Sequence, residues 1–262
     1  MINLHDIRYA RLGTQDLDGA IRFATSVVGL QLVAREGNTA YFRSDKADVR
    51  GDTRDHTLVY FEGDPADQTI GLELIDPDDL DAVGSALEQA GRPVHFGTRT
   101  ECDSRRTRAY IASSDPSGNK LEILARPYNS GGKYFPGRQV GITNFSHVAL
   151  FSTDTKRDTE FWTRLVNARV SDWLGEATFL RIGTVHHSVV LMPSSRPGWI
   201  WQRWSNESGR TRNRKQPQLP VSNRGLDRVY TGAQSCTRLG AESVPKRWTR
   251  RGARATLPQG TR

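Results

Sequence analysis

Apolar and polar positions alternate along residues 6–12, Asp-Ile-Arg-Tyr-Ala-Arg-Leu, and this period of two predicts a strand. The period then lengthens. Leu17, Ala20, Ile21, Ala24, Val27 and Val28 recur at helical spacing behind Asp16, whose side chain suits a helix start, and Gly29 ends the run. Residues 30–35 and 39–43 read as a hairpin around Gly37-Asn38, and residues 56–61 as a further strand. A second unit follows: strand 71–75, a helix opened by Asp76-Pro77 and stopped by Gly91, then strands 93–96 and 108–113. A tight turn at Asp115-Pro-Ser-Gly118 leads into a closing strand, 120–124. Beyond a connection rich in Gly and Pro (127–141), the pattern restarts at Ile142 with strand 145–151, helix 154–166 and strands 168–173 and 177–182. Residues 186–192 are the last strand it predicts, and from Ser194 the periodicity is lost.

The restart is a repeat. Asp16-Leu-Asp-Gly-Ala-Ile-Arg-Phe23 aligns with Asp154-Thr-Lys-Arg-Asp-Thr-Glu-Phe161 at an offset of 138 residues, and Tyr41-Phe42-Arg43 falls on Phe179-Leu180-Arg181 at the same offset. His56-Thr-Leu-Val-Tyr-Phe61 matches His187-Ser-Val-Val-Leu-Met192 at an offset of 131. An internal repeat fixes the architecture before any other reading. The expected fold is α+β: paired βαβββ modules forming curved mixed sheets with helices outside. Residues 1–128 would be a complete two-module domain and 141–198 the first half of a second. The counterpart of Asp115-Pro-Ser-Gly-Asn-Lys-Leu-Glu-Ile-Leu124 is missing from that second domain, which is therefore incomplete.

Composition sharpens this division. The chain of 262 residues is 36% hydrophobic and 25% charged, values of a globular protein. Residues 199–262, however, carry 12 Arg and 2 Lys against three acidic residues, about +11, whereas residues 1–198 sum to about −3. An Arg-rich stretch with Trp199, Trp201, Trp204 and Trp248 has the makings of stacking platforms for nucleic acid. It lacks alternation, caps and an apolar face, so the expectation is an atypical, unstructured basic tail and no nucleic-acid partner. Cys102 and Cys236 form no metal-type or redox-type spacing, which favours a reducing compartment. With neither a signal-peptide pattern nor a run of ~20 apolar residues, a cytoplasmic protein with no membrane partner is expected.

Taken together, the repeat, the strand Phe-Ser-His147-Val-Ala-Leu, the His186-His187 pair and the closing Asp-Pro-Ser-Gly-Asn-Lys-Leu-Glu resemble the vicinal oxygen chelate superfamily. Within it the chain is similar to the type I extradiol ring-cleavage dioxygenases, the dihydroxybiphenyl and catechol 2,3-dioxygenase group, over residues 3–198. The resemblance implies a non-haem Fe(II), or Mn(II), held in the second domain by two histidines and a glutamate. Such a facial triad neutralises most of the metal charge and leaves adjacent positions for a catecholate and O2. A further histidine manages protons. Carried over, His147 falls on the first metal ligand and His187 on the acid/base histidine, with His186 beside it. The substrate implied is an aromatic diol with O2, and the family commonly forms homo-oligomers.

The resemblance also places a second histidine on the strand that opens the fourth unit, soon after residue 197, and a glutamate at that unit's close. No histidine follows His187, and the only later glutamates are Glu207 and Glu242. The expected function is thus extradiol dioxygenase-like by descent, with the metal held weakly or not at all. The alternative is a catalytically inactive small-molecule binder of the same fold. Residues from about 199 onward read as translated out of frame or as a truncated product. Two further expectations come from the residues. His186 and His187, as neighbours on a strand, would face opposite sides. His56, where the second copy has His187, points to a shared structural role. By the resemblance, Glu122 stands at the family's glutamate position but in the first domain, beside Tyr9 and a strand that offers Glu73 and no histidine, so it reads as a structural residue, with the Glu73 and Glu122 pair as a minor alternative site.

Overall fold

A computed structural model describes residues 1–44, 53–131, 142–196 and 198–206. Its first module runs β1 (Leu4–Thr14), α1 (Leu17–Arg22), β2 (Gln31–Glu36), β3 (Thr39–Arg43), β4 (Thr53–Arg54) and β5 (Leu58–Glu62). The second runs β6 (Gln68–Leu74), α2 (Leu80–Gln89), β7 (His95–Phe96), α3 (Arg99–Arg105), β8 (Thr107–Ser114), β9 (Lys120–Pro127) and β10 (Asn129–Ser130). The third consists of β11 (Ile142–Ser152), α4 (Thr155–Glu160), β12 (Arg169–Leu174), β13 (Ala177–Arg181) and β14 (Val189–Pro193), and is followed by β15 (Trp199–Asn206). An eight-stranded sheet has the order β2-β3-β5-β1-β6-β9-β8-β7, and a five-stranded sheet the order β12-β13-β14-β11-β15. Strands β4 and β10 form a small ribbon. The expected mixed sheets of βαβββ units are present.

The repeat holds down to individual hydrogen bonds. Asp16 Oδ1 accepts from the Gly19 amide at 2.7 Å, and Asp154 Oδ1 accepts from the Arg157 amide at 3.0 Å, so both helices start on the same side-chain cap. Each helix then widens into π-helical turns, at Phe23–Val28 and Phe161–Leu165. The physical agent is also repeated: Thr25 donates its hydroxyl to the Ile21 carbonyl at 2.8 Å and Thr163 to the Thr159 carbonyl at 2.7 Å, competing with the helical ladder. The widened turn explains why Val27, which helical spacing puts on the inner face, is 48% exposed.

Two strand boundaries differ from expectation in the same way. The strands read at 56–61 and 186–192 begin two or three residues later, at Leu58 and Val189. In both copies the residue after the histidine is tied to the hairpin by its amide, Thr57 to the Phe42 carbonyl and Ser188 to the Leu180 carbonyl, each at 2.8 Å. The period-two expectation for His186 and His187 therefore fails, because neither is in a strand. Helix α3 was not legible from apolar periodicity, since Arg-Thr-Glu-Cys-Asp-Ser-Arg has none. It is specified instead by a capping box in which the Thr98 hydroxyl accepts from the Glu101 amide and the Glu101 carboxylate accepts from the Thr98 amide.

Strand β15 lies in the stretch read as an unstructured tail, so residues 199–206 depart from that expectation; residues 207–262 lie outside the described ones. One hydrophobic cluster runs through both sheets, from Ile7, Phe42, Leu58 and Ile70 to Val148, Trp162 and Leu191. The third module is also tied to the first by backbone. Ile2 donates to the Leu165 carbonyl, and the Asn167 side chain bonds both the amide and the carbonyl of Leu4 at 3.0 Å. The turn at Asp115–Asn119 docks on the other side, with Asn119 donating to the Phe151 carbonyl and accepting from the Gly198 amide.

Candidate functional site

Strand register places His147 and His187 together. Strand β1 runs parallel to β5 with Ala10 opposite Leu58, and β11 runs parallel to β14 with Val148 opposite Val189, the same pairing shifted by the two repeat offsets. The residues just before these pairs meet across the ladder in both copies. In the first, the Tyr9 ring stacks on His56 with centroids 5.0 Å apart, and Tyr41 meets His56 edge-on at 5.4 Å. In the second, His147 lies 4.5 Å from His187, and Phe179 meets His187 edge-on at 5.1 Å. Two aromatic rings around one histidine in the first copy thus become two imidazoles and a phenyl ring in the second.

His186 joins them. Its Nδ1 is 2.8 Å from the Nδ1 of His187, and its ring stands nearly perpendicular to that neighbour. A hydrogen bond between two imidazole nitrogens needs one donor and one acceptor, so the pair shares a proton when both rings are neutral. The expectation that the two rings face opposite sides is not met. The irregular backbone ahead of β14 lets both rings lie side by side.

The two copies differ in what covers them. Tyr9, His56 and Tyr41 are all buried, whereas His147, His187 and Phe179 are half-buried and His186 is exposed. In the first domain the cover comes from the second module. Tyr9 donates its hydroxyl to Glu122 Oε2 at 2.6 Å, and Arg105 places Nε and Nη2 on Glu122 Oε1 at 2.9 and 2.8 Å. Burial, and next the Glu122 charge, push the Tyr9 hydroxyl well above its ordinary pKa, so it stays a donor. Arg106 lies over the Tyr41 ring at 4.1 Å and bonds both Asp55 and Glu36. Burial alone would raise the Asp55 carboxyl, but hydrogen bonds from His56 and Arg106 hold it down at about 2.

Glu122 is accordingly a buried interior anchor, as a structural residue should be, and Glu73 is not its companion. Glu73 faces Arg8 and His5. Sequence reasoning missed Arg105 and Arg106, which carry the electrostatics of the first domain. The Thr98-x-x-Glu101 box was the available signal, because it predicts the helix whose end presents both.

The fourth unit opens with the correct geometry. Strand β15 is antiparallel to β11 with His147 opposite Arg203, as β6 is antiparallel to β1 with Tyr9 opposite Gly71. Two irregularities coincide, with register shifts at Leu4/Asp6 and Ile7/Tyr9 in one copy and at Ile142/Asn144 and Phe145/His147 in the other, where a further shift falls at Ala149/Leu150. Its sequence, Trp-Ile-Trp-Gln-Arg-Trp-Ser-Asn, contains neither imidazole nor carboxylate. Among the described residues, no group of three or more His, Cys, Asp or Glu could hold a metal ion. The described donor set therefore does not fit a three-point ion site. No helix of the described residues is long and apolar enough to cross a membrane.

Comparison with known proteins agrees with this architecture. The chain is 28% identical over 179 residues to a 1,2-dihydroxynaphthalene dioxygenase of Sphingobium xenophagum, covering 65% of this chain and 58% of that protein. It is 24% identical over 226 residues to an iron-dependent extradiol dioxygenase of Rhodococcus jostii strain RHA1, covering 76% of this chain and 71% of that one. The crystal structure of an Mn(II)-bound glyoxalase from Novosphingobium aromaticivorans shares the fold, with a TM-score of 0.65 at 24% identity over 76% of this chain and 64% of that one. This chain thus spans a little over half the length of the first of these relatives. The sequence model of the Glyoxalase/Bleomycin resistance protein/Dioxygenase superfamily matches residues 6–123. That match covers the first domain, and the same registers and caps recur in the third module.

Proposed function

We propose that this chain is a degenerate extradiol dioxygenase-like protein, by descent an oxidoreductase that opens a catechol-type ring with O2 at a non-haem Fe(II) or Mn(II). His147 is the surviving first ligand of that ion, His187 the acid/base histidine, and His186 the neighbour with which His187 shares a proton. The observation that carries this reading is that His147 stands where the first copy has Tyr9, on the same strand register and beside a histidine, His187, that both copies keep. The composition of β15 supports the loss of function. Its backbone repeats the geometry of β6, yet it supplies no second ligand. One imidazole from β11 and one from the loop before β14 hold a divalent ion far more weakly than a three-point set.

The pair of imidazoles beside Phe179 favours a second reading, a metal-free binder of aromatic diols. A half-buried phenyl ring offers a face for a flat ring, and imidazole nitrogens accept hydrogen bonds from its hydroxyls. Anaerobic Fe(II) reconstitution followed by addition of a catechol and air separates the two readings. The first expects at most a trace of yellow ring-fission product. The second expects catechol binding in the absence of iron, abolished by His187→Ala. Rapid, stoichiometric product formation sinks both.

A further inference from the structure

The first domain's counterpart of the His147–His187 site also holds nitrogen and oxygen donors, and its interpretation rests on the reading of that site as an ion site. The Tyr9 oxygen and the Glu122 carboxylate lie 2.6 Å apart there, and the ring of His56 is stacked on Tyr9 with centroids 5.0 Å apart. The Nε2 of His56 is buried and has no hydrogen-bond partner. The other ring nitrogen of His56 lies 3.2 Å from the Asp55 carboxylate, which is ionised and accepts the Nδ1 proton. An imidazole backed by a carboxylate in this way, with Nε2 bare, is the arrangement in which histidines hold cations. The Tyr9 ring packs directly on the backbone of Gly71. Tyr9, Gly71 and Glu122 form one rung across β1, β6 and β9, and a Cβ on Gly71 would stand 2.6 Å from the Tyr9 ring.

One positive charge is already present. The Arg105 guanidinium holds the Glu122 oxygen that Tyr9 does not, and lies 4.8 Å from the Tyr110 ring. A carboxylate, a guanidinium and a neutral phenol sum to zero charge. So do a carboxylate, a phenolate and a divalent ion, once the phenol proton has left to solvent. We propose that the first domain is a cation site of the same design as the second, in which the guanidinium of Arg105 has taken the place of the ion. Removing that guanidinium creates a site for a divalent ion with nitrogen and oxygen ligands, Glu122, His56 and Tyr9 being the donors.

The test uses the full chain in a His147→Ala, His187→Ala background, which silences the second domain, and Co(II) as the probe, read by its visible absorption and by calorimetry. Arg105→Ala should gain about one equivalent of Co(II), on the order of a hundredfold tighter than its parent. The gain should vanish when Glu122→Gln is added, and Arg105→Lys should show none. If Arg105→Ala is unfolded as purified, Co(II) or ethylguanidinium should restore its cooperative thermal transition. Binding of equal strength in the parent, a gain that survives Glu122→Gln, or an unfolded variant that neither cation rescues would overturn the proposal.

Discussion

Tyr9 and His147 occupy one position in two copies of the same strand, and their different side chains decide what each half can do. Tyr9 turns the site inward: its hydroxyl satisfies a buried carboxylate that would otherwise lack half its partners. Tyr9→Phe should therefore destabilise the protein by about 2 kcal/mol, measured by urea denaturation, because a buried acceptor at a charged group loses its donor. Asp115 gives a second prediction at this scale. It is fully buried in the turn before β9, and burial pushes its carboxyl up to about 6, with the Asp158 charge adding to the effect against hydrogen bonds from Asn119. Its folded pKa exceeds its unfolded one, so the folded state holds the proton more tightly. The stabilisation is full below pH 4 and is lost as the pH rises through 6, by about 3 kcal/mol. Asp115→Asn should flatten the dependence of stability on pH between 4 and 7. An unchanged slope would locate the effect elsewhere.

Elements show where sequence is a good guide and where it is not. The hairpin at Gly37, the caps at Asp16 and Asp154, and the turn at Asp115 follow from local chemistry, and each forms where its residues demand. Helix α3 was missed because periodicity registers only helices with an apolar stripe, whereas α3 is held by its capping box. Thr98→Ala should cost about 1 kcal/mol in thermal or urea unfolding, with α3 the first segment to lose amide-exchange protection, since it removes the helix start that positions Arg105 and Arg106. Strand β15 was illegible for a different reason. Four apolar or aromatic residues with Gln and Arg between them have no clean alternation, and the strand is specified by pairing to β11 rather than by its own pattern. The meeting of His186 and His187 was likewise hidden, because it depends on where β14 starts.

For the whole molecule, two nearly superimposable registers have different fates. The first domain is closed by its second module, through Arg105, Arg106 and Glu122. The third module presents its equivalent face half-open, with Trp173 and Leu174 at the tip of its hairpin 64% and 63% exposed. At those positions the first copy has Arg35 and Glu36, paired to Asp18 and to Arg106. The division at the centre of the chain is thus chemical before it is geometric: β15 repeats the pairing of β6, with neither histidine nor carboxylate in its sequence. The most direct test is the iron content of the full chain after anaerobic loading with Fe(II) and removal of free metal by gel filtration. The account predicts far less than one iron per chain, with no change when His147 is replaced by Ala in the column-purified sample. One tightly held iron per chain, lost in His147→Ala, would contradict it.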